Sequence, residues 1–193
     1  MGYEYPPKTV YKAAPTILSF SPFSKKEKSF NISIYEQINK KKGRDPLSIA
    51  IHEISHFIYY DYADVISKKH NIEITLPVEY YLKEALTAAL LRQKRLFKSM
   101  QLGPDIKTIE GNHNTRPIQI EASGKIYNLS EYIEYKYKNS KGTFYNFLED
   151  LIILFMKNKK AFGSKNLFWR KHGYKIFDNP KLLKRYSTPI QVN

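Results

Sequence analysis

The sequence predicts an α+β fold in a single domain spanning 1–193, strand-rich up to about residue 62 and mainly helical over about residues 63–193. Three observations predict it. Phe30-Asn31-Ile32-Ser33-Ile34-Tyr35 alternates apolar and polar residues, the period of a half-buried strand. Leu47 to Ile58 is an apolar, helix-like run. Pro77 to Leu91 and Phe144 to Met156 are further apolar stretches of helical length. At 193 residues the chain is long enough for one ordinary core.

The elements follow in order. Thr16-Ile17-Leu18-Ser19-Phe20 reads as a first strand and Phe30–Tyr35 as a second. Lys40 to Arg44 is a loop. Asp45-Pro46 then supplies an N-cap and a proline at the first helical position, so the run that follows starts as a helix. A second helix is expected from Pro77 to about Phe97. Gly103-Pro104 breaks the pattern, and residues 103–116 look irregular. Ile118–Glu121, Ser123-Gly124 and Lys125–Tyr127 suggest a hairpin. Ser130 is placed to cap a helix running to about Lys138, and Thr143 to cap the apolar helix Phe144–Met156. Leu167-Phe168-Trp169 suits a short helix or a hydrophobic lid. Pro180 to Asn193 is a basic, proline-containing tail.

The first helix carries His52-Glu53-Ile54-Ser55-His56. Two histidines four apart on a helix lie on one face, so their ring nitrogens can converge on one metal ion. Zinc takes imidazole nitrogen at about 2.0–2.1 Å and, in catalytic sites, keeps one position open for water. Glu53 projects to the same side, where it can take a proton from that water. This is the division of labour in a zinc-dependent hydrolase. The plain alternative is an amphipathic helix with two surface histidines. Ile49, Ile51, Ile54, Phe57 and Ile58 around the motif argue against it, because a histidine pair and a carboxylate are costly to bury without a partner.

Catalytic zinc usually has three protein ligands, which leaves one to find. An extended motif would need glycine at position 59 and a ligand at 62; both are tyrosine, Tyr59 and Tyr62. The remaining candidates are Asp61, Asp64, His70, Glu73, Glu79 and Glu84. On the second helix, Glu79 has Lys83 four residues on, a solvent-exposed helix pair. Glu84 has no basic residue at either four-residue step, and Ala85, Ala88 and Ala89 let its helix approach the first one closely. Glu84 is therefore the preferred third ligand.

His52-Glu53-Ile54-Ser55-His56, followed by Tyr81-Leu82-Lys83-Glu84-Ala85-Leu86-Thr87, resembles the gluzincin zinc metallopeptidases, and in its short spacing the small minigluzincins. The similarity covers roughly Phe30 to Leu91. It implies a zincin-like, thermolysin-like core: a twisted mixed sheet, an active-site helix and a glutamate helix, followed by a mainly helical C-terminal part. It also implies one zinc ion held by His52, His56 and Glu84, with Glu53 as general base and acid. In that family the strand before the active-site helix is a sheet edge that pairs with extended peptide, which puts Phe30, Asn31, Ile32, Ser33, Ile34 and Tyr35 along the substrate. An extended C-terminal tail could occupy the same edge. Ala85 stands where many relatives have glycine. Relatives also stabilise the oxyanion with a histidine or tyrosine. No motif identifies one here, and His113, in Gly111-Asn112-His113-Asn114, is the candidate, against the plainer reading of an exposed loop histidine.

Composition sets the remaining bounds. There is no cysteine, hence no disulfide and no thiolate metal site. No apolar stretch reaches transmembrane length. The N-terminus lacks a signal-peptide pattern, so a cytoplasmic location is expected, although a mature secreted form would look the same. The formal net charge is +14, but only six of the 32 basic residues are arginine and the lysines are dispersed. This favours a solvated lysine-rich surface over a nucleic-acid site. The expected partner is a peptide or protein substrate. The alternative enzyme resembles the SprT or Spartan type, a DNA-associated metalloprotease with His70 as third ligand. A latent or non-catalytic zinc-binding protein is the third reading.

Overall fold

A computed structural model of the chain describes residues 9–18, 23–34, 46–93, 118–163 and 189–192. Within them the fold is α+β, with four α-helices and two small mixed sheets. The first sheet holds β1 (Lys12–Thr16), β2 (Phe23–Ser24) and β3 (Ser29–Ser33). Its order is β1-β3-β2, with β1 parallel and β2 antiparallel to β3. The first strand thus lies before the expected Thr16–Phe20, and it ends where Ile17 and Leu18 turn away in a bend. The strand expected at a sheet edge has a neighbour on each side at its start. β3 is the middle strand: β1 pairs with all of Ser29–Ser33, and β2 takes the other flank of Ser29 and Phe30. Phe30 is buried and packs on the helix beneath. Phe30 is thus flanked on both sides, while Asn31, Ile32 and Ser33 pair with β1 alone and Ile34 follows the strand. Tyr35 lies outside the described residues.

The first helix, α1 (Pro46–His70), runs uninterrupted for 25 residues. The expected boundary near residue 62 therefore falls inside one rigid element. Its first half lies under the first sheet, where Tyr11, Phe23 and Phe30 close on Phe57 at ring distances of 5.6, 6.1 and 6.4 Å. Lys28 and Lys25, in the turn before β3, reach down to Asp61 and Asp64 and fix the sheet on the helix. The last turn carries Lys68, Lys69 and His70, favourable at the negative end of the helix dipole. Asn71 closes it in the left-handed region, φ 50°, with Ile72 N–H donating to the Ser67 carbonyl and Asn71 N–H to that of Lys68. This is the Schellman arrangement, with asparagine in the place glycine usually takes.

The second helix, α2 (Leu76–Leu91), has a proline in its first turn and buries Ala85, Ala88 and Ala89. It ends six residues before the expected Phe97. Gln93 N–H bonds the Leu90 carbonyl, while its side-chain amide takes the Ala89 carbonyl that a further helical turn would need. The hairpin of β4 (Gln119–Ala122) and β5 (Lys125–Asn128) forms as expected. Ser123 and Gly124 both have positive φ, 52° and 70°, the two-residue turn that matches strand twist. The next helix, α3 (Leu129–Asn139), is capped by Asn128 and not by Ser130: the Asn128 side chain accepts from Glu131 N–H, and Glu131 bonds back to Asn128 N–H. The last helix, α4 (Phe144–Lys157), begins after Thr143, whose hydroxyl accepts from Asn146 N–H as expected.

The tail is partly described. β6 (Ile190–Val192) pairs parallel with β4, Ile190 opposite Ile120. Ile190–Val192 thus join the second sheet. The buried core lies between this sheet, α2, α3, α4 and the second half of α1. Tyr59, Ile66, Leu82, Ile120, Leu148 and Phe155 are fully enclosed there. Among the described residues no helix is long and apolar enough to cross a membrane. His113, Leu167-Phe168-Trp169 and residues 180–188 lie outside the described residues.

Candidate metal centre

The site forms where α1 and α2 cross beneath the first sheet. His52 and His56, one turn apart on α1, face each other edge to face with ring centres 4.5 Å apart. Glu84 comes from α2. Its Oε2 lies 3.6 Å from His52 Nε2 and its Oε1 3.4 Å from His56 Nε2. One donor atom from each of the three residues lies within 4.8 Å of the others, and all three residues are buried. Donors held at about 2.0–2.1 Å around a tetrahedral ion stand roughly 3.3–3.4 Å apart. The nitrogen–oxygen spacings are close to that, and longer than the usual hydrogen bond of about 2.9–3.0 Å. Two imidazoles and one carboxylate are also a chemically suitable donor set. His52, His56 and Glu84 can hold a metal ion.

The other carboxylates and His70 are engaged elsewhere or placed elsewhere. Asp61 and Asp64 are held by Lys28 and Lys25. Glu73 is exposed beyond the end of α1. Glu79 is half-buried, and burial pushes its carboxyl up. His70 lies 14 residues along the same helix from His56, about 21 Å at 1.5 Å per residue. It hydrogen-bonds Glu149 at 2.7 Å. No bend in α1 brings it to the centre, so the arrangement with His70 as third ligand does not form.

Lys83 departs from its expected place. It does not make a solvent-exposed pair with Glu79; it is buried, and its ammonium donates to Glu84 Oε1 at 2.7 Å. The rings of Tyr80 and Phe23 flank that ammonium at 5.3 and 5.7 Å. Glu84 therefore has the basic partner that the four-residue steps did not show. Neighbours in a helix sequence do not normally face each other, and only the long lysine stem makes the contact. Burial alone pushes the Glu84 carboxyl up. The charge of Lys83, then the hydrogen bond and charge of His56 and the charge of His52, outweigh it and hold the group well below the usual carboxylate range. The residue is a carboxylate at neutral pH and available to a cation.

Glu53, beside His52, is also buried. Tyr60, one turn beyond His56, stacks on Phe23 with ring centres 6.1 Å apart. Burial first, then the charges of Glu79, Glu84, Glu53 and Asp64, push its phenol up, so it stays protonated. Phe23 is 40% exposed and its ring centre lies 6.3 Å from that of His56, so it forms an open aromatic wall beside the centre. Sequence reasoning missed Lys83, Phe23 and Tyr60 as neighbours of the site. Tyr60 had a signal, since it continues the four-residue spacing of His52 and His56; Phe23 had none.

The chain matches no protein-family model, no curated protein and no solved structure.

Proposed function

We propose that the chain is a zinc-dependent endopeptidase with a zincin-like site, in which His52, His56 and Glu84 hold zinc and Glu53 is the general base and acid. The observation that carries this reading is the buried convergence of two imidazoles and a carboxylate, with a second carboxylate next to the first histidine. When bound, zinc would polarise a scissile carbonyl and make a water molecule a better proton donor at neutral pH.

The remaining work falls to the chain's own side chains. Glu53 takes a proton from the attacking water and passes it to the leaving amine. Burial of the centre limits competing bulk water and strengthens local electrostatics. Phe23, exposed beside His56, offers substrate an apolar contact. Lys83 holds one oxygen of Glu84 and limits rotation of that carboxylate.

The test is to load the purified chain with zinc and offer it an unstructured, casein-like protein. Fragments should appear, and Glu53→Gln should keep zinc and fold while turnover falls by roughly 10²–10⁴, because an amide cannot accept the proton. Undiminished cleavage by Glu53→Gln would remove Glu53 from the mechanism. Zinc binding without cleavage by the wild type would make the chain a zinc-holding protein without turnover.

A further inference from the structure

Behind the centre, His56 Nδ1 lies 3.3 Å from the Thr87 hydroxyl on α2. Thr87 Oγ1 in turn makes a short hydrogen bond with Ser55 Oγ on α1. Ser55 Oγ donates to the backbone carbonyl of His52 at 2.7 Å. Ser55, Thr87 and His56 are 4%, 1% and 1% exposed, so bulk water does not compete for these groups.

The order of these contacts fixes where each proton sits. A carbonyl oxygen can only accept, so Ser55 spends its single proton on His52. Ser55 must then accept from Thr87, which spends its own. Thr87 is left with lone pairs alone to offer His56, so His56 Nδ1 must carry a hydrogen and donate it. We infer that Thr87 and Ser55 form a hydroxyl relay that locks His56 in the Nδ1–H form and presents its Nε2 lone pair toward Glu84.

This inference rests on His56 being a ligand as proposed above, and it adds two positioning residues to that site. A metal-binding histidine is commonly oriented through its second nitrogen, and loss of such a partner typically costs about 10–100-fold in metal affinity. Here the partner is a threonine hydroxyl whose direction is set by a serine one residue before His56. The relay starts on one histidine, crosses to α2 and ends on the backbone of the other histidine. It therefore couples the orientation of the His56 imidazole to the packing of α2.

Two measurements test it. The first is the tautomer of His56, read by nitrogen and carbon NMR shifts in the metal-free wild type at a pH where the ring is neutral. The Nδ1–H form is expected, and the Nε2–H form would overturn the relay. The second is zinc affinity by competition with a chelator. Thr87→Val keeps the shape and removes the hydroxyl, and should weaken zinc by about 10–100-fold. Thr87→Ser should restore most of the loss. Ser55→Ala should weaken zinc less, and adding it to Thr87→Val should cost little more, since both act through one bond. A folded Thr87→Val protein with wild-type zinc affinity would overturn the proposal. If Thr87→Val fails to fold, the wild-type tautomer still decides. If the wild type takes up no zinc, the metal reading fails, and the tautomer decides the relay separately.

Discussion

Two histidine–glutamate pairs involve α1, one near its middle at His56 and Glu84 and the other at its C-terminal end at His70 and Glu149. The second pair is much the closer, 2.7 Å against 3.4 Å. It is also the more exposed, with the His70 side chain 32% accessible and that of His56 only 2%. At 2.7 Å a carboxylate oxygen and a ring nitrogen share a proton, and no ion fits between them. Lys69 donates to the same oxygen, also at 2.7 Å. At 3.4–3.6 Å, with two imidazoles on one carboxylate, the donors stand apart by about the edge of a metal tetrahedron. The shorter contact is thus a surface ion pair, and the longer one can hold a metal. Burial and the number of converging donors separate them.

The largest expected effect breaks the comparison outright if it fails. Alanine at His52, His56 or Glu84 should remove most bound zinc in elemental analysis, because two ligands rarely hold it tightly. His70→Ala and Glu149→Gln should retain wild-type zinc. The opposite pattern would move the centre to the C-terminal end of α1.

The next effect concerns what holds α4, the helix that carries Glu149. Leu151, two residues on, is fully buried in the core. Leu151→Ala should cost about 2–5 kcal/mol in denaturant unfolding. A loss no greater than that of Glu149→Gln would mean that the ion pair, and not apolar packing, anchors this helix.

The acid limb should be smaller and come mainly from the buried pair. The folded-state carboxyl of Glu84 is held below its ordinary value, so its contribution is present above the unfolded value, about 4.3, and is lost as pH falls through the folded one. Metal-free wild type should therefore lose stability below about pH 4.3 more steeply than Glu84→Gln. Parallel pH profiles of the two proteins would show that Lys83 and the histidines do not stabilise the charged form.

The smallest effect is expected at the exposed pair. The hydrogen bond from Lys69 and then that from His70 hold Glu149 below the usual carboxylate range, so the sign is the same as for Glu84. Solvent and salt screen a pair of this exposure. Glu149→Gln should lower the thermal midpoint only slightly, and added salt should shrink the difference. A salt-independent loss as large as that of Leu151→Ala would contradict the assignment of this pair to the surface.

Much of the centre is legible in the amino-acid sequence. The four-residue spacing of His52 and His56 places both rings on one face of any helix they belong to, whatever surrounds it. Thr143 and the Ser123-Gly124 turn act within a few residues, so their geometry follows from local chemistry. Ala85, Ala88 and Ala89 are all buried on α2, and Glu84 and Thr87 beside them meet α1. Where two local signals compete, as Asn128 and Ser130 do for one helix start, the residue able to complete a reciprocal bond with Glu131 takes the cap.

Tertiary structure decided what depends on partners far apart in sequence. An alternating strand such as Phe30–Tyr35 does not say how many neighbours it will have. β3 became the middle strand at Ser29 and Phe30, where Phe23 of β2 and Tyr11, just before β1, both pack on Phe57. The end of the tail paired with β4, where Ile190 is buried opposite Ile120. Lys83 turned to Glu84 because Tyr80 and Phe23 enclose its ammonium on that side. The Ser55–Thr87 contact joins residues 32 apart. Helical period determines which residues share a face; only the packing of one face on another determines which atoms meet.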